Sequence, residues 1–168
     1  LLQFARQELQ LNQSMLNETP IFFKGTGVMR LMTNETSFPI MQQVISVLSD
    51  KSLCPFLFYP GFAHILSGTE QAAAAWASVN VFQNVNLARS GYSYVEAAPV
   101  TYGVIDISST SLQVAFAPVN APVLDSSFTV NLGNQNVWEI YATSYLDLGY
   151  STALTLHLQS LADSFYIT

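Results

Sequence analysis

Glu70 is the carboxylate whose place in the sequence most favours chemistry. It follows the turn sequence Ser67-Gly68-Thr69 and opens a predicted helix that runs to about Phe82. The start of a helix favours the ionised form of a carboxylate, so Glu70 could act as a general base. Glutamate in the first turn of a helix is also a common capping residue. The sequence leaves both interpretations open.

Other reactive side chains form no recognisable catalytic group. His64 and His157 lie far apart in the sequence without a paired cysteine or a nearby histidine, which favours core or surface histidines over metal ligands. Ser111 lacks the Gly-x-Ser-x-Gly context of a nucleophile elbow. Cys54 is the sole cysteine, so no internal disulfide can form. Its apolar neighbours favour a buried, inert thiol, and pairing with a cysteine of another chain is the alternative.

Three glycosylation sequons lie in the first quarter of the chain, beginning at Asn12, Asn17 and Asn34. Charged residues make up only 10% of the sequence, so serine, threonine, asparagine and glutamine must supply most of the solubilising surface. That composition is commoner outside the cell. We therefore expect a secreted, extracellular or lumenal-facing glycoprotein in which these three asparagines are exposed.

The overall composition excludes several classes of protein. With 168 residues, 50% of them hydrophobic, the chain is too apolar for intrinsic disorder. A net charge of −6 argues against nucleic acid as a partner, because binding a phosphate backbone needs positive charge. No stretch approaches the roughly 18 apolar residues of a membrane-spanning helix, so we expect any membrane anchor to lie outside this chain. We interpret residues 1–168 as a single partial domain of a longer protein.

Strand-like and helix-like segments alternate along the sequence, which predicts an α/β fold with a mixed sheet and flanking helices. Residues 12–19 are expected to form an exposed loop, and residues 108–110 the turn of a hairpin. The expected strands, near Ile21, Ile65, Val104, Val114 and Ile140, should share one sheet. The expected flanking helices cover residues 40–48, 70–82 and 152–161.

Four ordered segments of the chain resemble conserved blocks of the apyrase, or ecto-nucleoside triphosphate diphosphohydrolase, family. Their order and separations also match, and together they cover nearly the whole chain. The resemblance implies an actin-like fold, in which two RNase-H-like lobes clasp a nucleotide and this chain spans only the middle of the molecule. The segments are Thr19–Leu31, Ile65–Trp76, Gly103–Gln113 and Ile140–Tyr150.

The resemblance also implies an activity, which is hydrolysis of the terminal phosphate of nucleoside tri- or diphosphates with Ca²⁺ or Mg²⁺. Glu70 then aligns with the general base, the first glutamate of the family's Glu-Glu-Gly triplet. Asp106 would hold the metal through water, while Ser111 and Gln113 would contact phosphate and the nucleophilic water. The implied phosphate-binding residues are Thr26, Arg30, Ser108, Ser109 and Thr110.

Several positions depart from the family pattern. Ser108 and Ser109 replace both glycines of a phosphate-binding turn, and alanines follow Glu70 where the family prefers glycine or an aromatic residue. A Cβ at a position of positive φ would strain that turn, so we expect weak or absent hydrolysis of ATP and ADP.

Two functions therefore remain open. One is a weakened or inactive apyrase-like nucleotide phosphohydrolase domain, and the other is a non-catalytic pseudoenzyme that serves as an extracellular scaffold, binding or assembly subunit. The expected partners are a nucleoside tri- or diphosphate if the site is active, and the remainder of the same polypeptide or a sister chain. A homo-oligomer or larger assembly also fits.

Overall fold

The computed structural model describes residues 2–8, 12–83, 85, 101–118, 125–132 and 137–166. The chain divides into two units, Leu1–Ile65 and Leu66–Thr168, each with its own sheet and its own buried core. Both units combine helices with strands, so the predicted α/β class is confirmed. Within the described residues, no helix is long and apolar enough to cross a membrane.

The first unit holds a two-stranded parallel sheet whose strands are connected through helices. Parallel strands need a long crossover because their ends point the same way, and here α3 and α4 provide it. The strands pair from Phe23 opposite Ala63 to Gly25 opposite Ile65. The elements in chain order are α1 Leu2–Glu8, α2 Gln13–Glu18, β1 Phe23–Gly25, α3 Gly27–Leu31, α4 Asn34–Ser49, a 3-10 turn at Pro60–Phe62, and β2 Ala63–Ile65.

The expected loop over residues 12–19 is wrong, because α2 forms there. The side chain of Asn12 accepts a hydrogen bond from the backbone N–H of Met15 at 2.9 Å, which caps the start of the helix. Leu16 is only 1% exposed and joins the core of this unit, so packing stabilises a helix too short to persist alone. Cys54 is fully buried in the same core, which confirms the buried-thiol interpretation.

The second unit is an antiparallel sheet with a helix on one face. The elements are α5 Gly68–Phe82, β3 Val104–Ile107, β4 Ser111–Phe116, β5 Ser127–Asn131, β6 Val137–Leu146 and α6 Tyr150–Tyr166. The strands follow the spatial order β3-β4-β6-β5, and all three pairings are antiparallel. The two helices and the strands β3, β4 and β6 lie within a few residues of their predicted positions.

The expectation that all five predicted strands share one sheet is also wrong. Among the described residues, β1 pairs with β2, while β3, β4, β5 and β6 form a separate sheet. Ile21 lies outside β1, and its backbone N–H donates to the carbonyl oxygen of Leu57 at 3.0 Å. The short apolar segments of the first unit bury their side chains on one another and on α4.

The core of the second unit fixes α5 on the sheet. Trp76 of α5 is fully buried and its ring lies 5.3 Å, centroid to centroid, from that of Trp138 on β6. Ile140 and Ala142, further along β6, are buried beside them. Buried aromatic pairs of this kind contribute more than their area alone, so α5 is held firmly over β6.

The far end of α5 is tied to the segment that enters β3. Asn80 is fully buried, and its side-chain amide donates to the carbonyl oxygens of Trp76 at 2.9 Å and of Tyr102 at 3.0 Å. Its side-chain oxygen accepts from the N–H of Tyr102 at 2.8 Å. A buried amide with these three bonds is satisfied, and it fixes where β3 begins.

Candidate functional site

The register of three strands places three polar residues in one row. Asp106 on β3 pairs with Gln113 on β4, and Gln113 pairs with Ser144 on β6. Side chains alternate between the two faces of a sheet, so these three point to the face that α5 covers. Gln113 is fully buried there.

The first turn of α5 lies directly on this row. A Cβ added to Gly68 would collide with the side chain of Ser144, so glycine is required for the helix to come this close to β6. The close approach brings the next turn of α5 to the polar row. Glycine here is therefore a packing requirement of the site.

Glu70 takes part in a capping box at this helix start. Its carboxylate oxygen accepts from the backbone N–H of Ser67 at 2.7 Å, and its own N–H donates to the Ser67 hydroxyl at 3.1 Å. The capping interpretation of Glu70 is thus confirmed. Its role as a general base stays a prediction.

Gln71, which the sequence analysis missed, is the α5 residue whose amide reaches the row. Its Nε2 donates to Asp106 Oδ2 at 3.2 Å. The same Nε2 lies 3.0 Å from the Gln113 side-chain amide atom that faces Asp106. The available signal was its place one residue after Glu70, inside the same resembling block. The sequence did not show that this amide reaches Asp106, because the contact depends on the register of the strands.

The Gln113 amide connects the carboxylate to two hydroxyl groups. With its nitrogen toward the sheet edge, it donates to Asp106 Oδ2 at 3.0 Å, and its oxygen accepts from Ser111 Oγ at 2.7 Å and Ser144 Oγ at 3.0 Å. The opposite orientation lets Gln71 donate to the Gln113 oxygen but sets that oxygen against the Asp106 carboxylate. We assign the first orientation because a carboxylate only accepts hydrogen bonds.

The turn between β3 and β4 is closed by the Ser108 side chain and backbone. The Ser108 N–H donates to the Ser111 carbonyl at 2.9 Å, and the Ser111 N–H donates to Ser108 Oγ at 3.2 Å. The two hydroxyl oxygens lie 3.0 Å apart. Ser108 therefore links the turn to the row through Ser111.

The carbonyl groups of this turn are anchored by Asp147 and by the first two residues of α6. The N–H groups of Tyr150 and Ser151 donate to the carbonyls of Ser108 and Ser109 at 3.0 and 3.1 Å. The Thr110 carbonyl accepts from the N–H of Asp147 at 2.8 Å, and Asp147 adopts a positive φ of 72°. All three turn carbonyls thus accept hydrogen bonds from the backbone of residues 147–151.

The opposite side of the turn carries the N–H groups of Ser109 and Thr110. In the part of the chain that the structure describes, neither group has a protein acceptor. Consecutive N–H groups in a turn form a concavity that binds anions. The turn therefore has two donors available for a negatively charged ligand, a few residues from Asp106.

Comparison with known proteins shows the family to which this chain belongs. Residues 1–165 match the family model described as GDA1/CD39 (nucleoside phosphatase) family. The chain belongs to the GDA1/CD39 family. Human ectonucleoside triphosphate diphosphohydrolase 6 is 29% identical over 157 residues, which cover 91% of this chain and 30% of the human protein. Nucleoside-triphosphatase of Pisum sativum is 29% identical over 141 residues, covering 79% of this chain and 29% of the pea protein.

A solved structure shares the fold. The crystal structure of nucleoside triphosphate hydrolases from Neospora caninum matches with a TM-score of 0.56 at 18% identity, over 86% of this chain and 27% of that chain. The predicted actin-like fold class is thereby confirmed. The chain spans roughly a third of the length of the curated GDA1/CD39 relatives it matches.

The two serines in the turn of this GDA1/CD39 chain cause no backbone strain. Among the described non-glycine residues, only Ser126 and Asp147 have a positive φ. Our expectation of strain at Ser108 and Ser109 is therefore wrong, because the turn adopts a conformation open to any residue. What the serines change is the hydrogen bonding of the turn.

The predicted phosphate-binding residues of the first unit lie at the start of α3 and within it. Thr26 follows β1, and its carbonyl accepts from the N–H of Arg30 at 3.2 Å. A Cβ on Gly25 would lie 3.3 Å from atoms of Ile65 and Met29, so the connection from β1 to α3 packs tightly. Partial burial lowers the pKa of Arg30 from its ordinary value, although a guanidinium stays charged at neutral pH.

The other predicted residues lie outside the polar row. Asn12, Asn17 and Asn34 are all exposed, as expected for sequons. Lys24 Nζ lies 3.0 Å from Nδ1 of His64, so this histidine has a lysine partner. Across the described ranges, no three histidine, cysteine, aspartate or glutamate side chains come together as a metal site.

Gly149 gives a direct test of how the turn is held. A Cβ at this position would collide with the backbone of Ser109 and Thr110, so Gly149→Ala should displace the turn and destabilise the fold by about 1–3 kcal/mol. Urea unfolding measures the change. Gly61→Ala is the matched control, because a Cβ there meets no atom within 4 Å and should leave stability nearly unchanged. Equal stability of both variants would show that Gly149 does not support the turn.

Proposed function

We propose that this chain forms part of a nucleoside tri- and diphosphate phosphohydrolase of weakened activity, in which the turn at residues 108–111 binds a phosphate group. The observation that carries the proposal is the pair of N–H groups of Ser109 and Thr110 beside the Asp106–Gln113 row. Backbone N–H groups held in place before the reaction stabilise the charge of a transferring phosphate. Thr26 and Arg30 remain proposed phosphate-binding residues on the first unit.

The row supplies polar groups suited to a water nucleophile. The resemblance implies that Gln113 orients the attacking water, and its amide contacts Asp106, Ser111 and Ser144. Glu70 would remove the proton from that water, as the resemblance implies. Its capping bonds hold the carboxylate in one place, which serves a base as well as it serves the helix.

A divalent cation fits this site only as a hydrated ion. Asp106 is the sole carboxylate in the row, and both of its described partners there are amide donors. Mg²⁺ keeps several waters and binds through one or two carboxylates together with substrate phosphates. We therefore propose that Asp106 holds Ca²⁺ or Mg²⁺ through water when the nucleotide brings the ion.

A non-catalytic scaffold, binding or assembly subunit is the second candidate. The observation in its favour is that the polar groups of the row bond to one another, with Gln71 as a neutral amide against Asp106. A site satisfied by its own residues gains less from a ligand than one with unpaired groups. The two candidates differ in turnover and can be separated by an assay.

Phosphate release from ATP and ADP, measured for the full protein with Ca²⁺ or Mg²⁺, tests the proposal. We expect slow release that Glu70→Gln lowers by about 10²- to 10⁴-fold, the usual effect of losing a general base. Glutamine also serves in capping boxes, so the variant should keep its stability.

Glu35→Gln is the matched control, because Glu35 is an exposed glutamate in the first turn of α4. It should leave the rate unchanged. No release by the wild-type protein would favour the scaffold. Rapid release would contradict the weakened site, and slow release that survives Glu70→Gln would exclude Glu70 as the base.

We propose that the protein is a glycoprotein of the secretory pathway. The exposure of all three sequon asparagines and the low charge of the chain support this location. Asn12 uses its side-chain oxygen to cap α2, while its amide nitrogen is the atom that glycosylation modifies.

Mass spectrometry of protein from a native eukaryotic source tests the glycosylation. We expect at least one of Asn12, Asn17 and Asn34 to carry glycan that a peptide N-glycosidase removes. The nearby Pro20 should lower the occupancy of Asn17. Three unmodified asparagines in native material would count against the secretory pathway.

The apolar surface of α6 supports a protein partner. Leu154, Leu158 and Phe165 are 58%, 56% and 79% exposed along one side of this helix. Soluble proteins rarely leave a large contiguous apolar patch uncovered. We propose that the remainder of the same polypeptide or a sister chain, including a second copy in a homo-oligomer, covers it.

A further inference from the structure

The Ser108 hydroxyl contacts Ser111, the residue at the other end of the turn. It accepts the hydrogen bond of the Ser111 N–H at 3.2 Å, and it lies 3.0 Å from both the carbonyl oxygen and the hydroxyl oxygen of Ser111. The next two N–H groups back along the turn, those of Thr110 and Ser109, have no acceptor in the described part of the chain. Of these three successive N–H groups, that of Ser111 is bonded to the Ser108 side chain.

Ser109 is the natural comparison, because its hydroxyl points elsewhere. Its Oγ lies 2.9 Å from Oγ of Ser151, the second residue of α6. That bond ties the turn to the helix and leaves the turn N–H groups unaffected. Two adjacent serines therefore have different structural roles.

We propose that Ser108 is an internal competitor of phosphate, whose hydroxyl fills the acceptor position at the Ser111 N–H and so weakens anion binding by this turn. The inference rests on the proposed function, because it concerns the same phosphate-binding turn. An oxygen atom that accepts from a turn N–H does what a phosphate oxygen would do there. A phosphate that engages all three N–H groups must first displace the serine hydroxyl.

The Ser108 hydroxyl is also connected to the Asp106 carboxylate through a series of hydrogen bonds. With the Gln113 amide as assigned, Ser111 donates to Gln113 and Gln113 donates to Asp106, so the Ser108 hydroxyl stands at the start of a chain of donors that ends at Asp106. Displacing the Ser108 hydroxyl breaks its bond with the Ser111 N–H and leaves the bonds between Ser111, Gln113 and Asp106 in place. Phosphate affinity should therefore change while the row stays intact.

Affinity for inorganic phosphate, measured by calorimetry on the full protein, tests the competition directly. Ser108→Ala removes the hydroxyl and keeps the Cβ, so it should bind phosphate about tenfold more tightly than the wild-type protein, since one charge-assisted hydrogen bond replaces an internal one. Ser78→Ala, the matched control, removes an exposed hydroxyl that donates to the Ala74 carbonyl at 2.8 Å on α5, and should leave phosphate affinity unchanged. Ser108→Gly serves as a second removal of the hydroxyl if the alanine variant folds poorly.

Hydrogen exchange at single amides gives a readout that does not depend on binding. The Ser111 amide should be protected in the wild-type protein and exchange faster in Ser108→Ala, with no such change in Ser78→Ala. Phosphate affinity that is equal or weaker in both Ser108 variants while the wild type binds phosphate would overturn the inference and leave the proposed function standing. Failure of the wild-type protein and every variant to bind phosphate would overturn both.

Discussion

The site depends on the register of three antiparallel strands. Asp106, Gln113 and Ser144 lie in one row only because β3 and β6 pair with β4 in this register. A slip of one residue would turn each side chain to the opposite face of the sheet and leave Gln113 away from α5. The buried side chains of Trp138 and Ile140 specify the register of β6, because the same slip would turn them away from the core that they form with Trp76. Hydrophobic packing at one end of the sheet thus positions the polar groups at the other.

Close packing at Gly68 is the second requirement. It allows α5 to contact β6 at Ser144, and from there Gln71 reaches Asp106 while Glu70 caps the helix. The result is a polar cluster with one carboxylate surrounded by amide and hydroxyl groups. Such a cluster can orient water or a hydrated cation, and a phosphate group would bind at the N–H groups of the adjacent turn.

The elements of the second unit could be predicted from sequence, because alternating apolar residues and the turn sequence Ser67-Gly68-Thr69 are local signals. The hairpin around Ser108 and the helix predicted over residues 70–82 were found in this way. Apart from the β3–β4 hairpin, the pairing of strands was not predicted, since a short apolar segment such as the one at Ile21 does not indicate its partner strand. The separate parallel pair in the first unit follows from tertiary packing that local patterns do not show.

The sequence predicted several residues of the candidate site but not the contacts among them. Asp106, Ser111 and Gln113 were named through the resemblance, and the structure joins Asp106 to Gln113 and Gln113 to Ser111. Gln71 and Ser144 were missed, because glutamine and serine gain their importance here only from register and close packing. The strain expected at Ser108 was wrong, since residue type alone does not give φ, and the turn avoids the left-handed region.

The most direct measurement is an NMR titration of the full, isotope-labelled protein with ADP and Mg²⁺, following single backbone amides. We expect the resonances of Ser109 and Thr110 to shift with nucleotide concentration, because their N–H groups gain a phosphate acceptor. The amide of Ser52, which already bonds to the Asp50 carboxylate at 2.8 Å in the first unit, is an internal reference that should not move. Binding of ADP without any shift at Ser109 and Thr110, or no binding at millimolar ADP, would contradict a phosphate site at this turn.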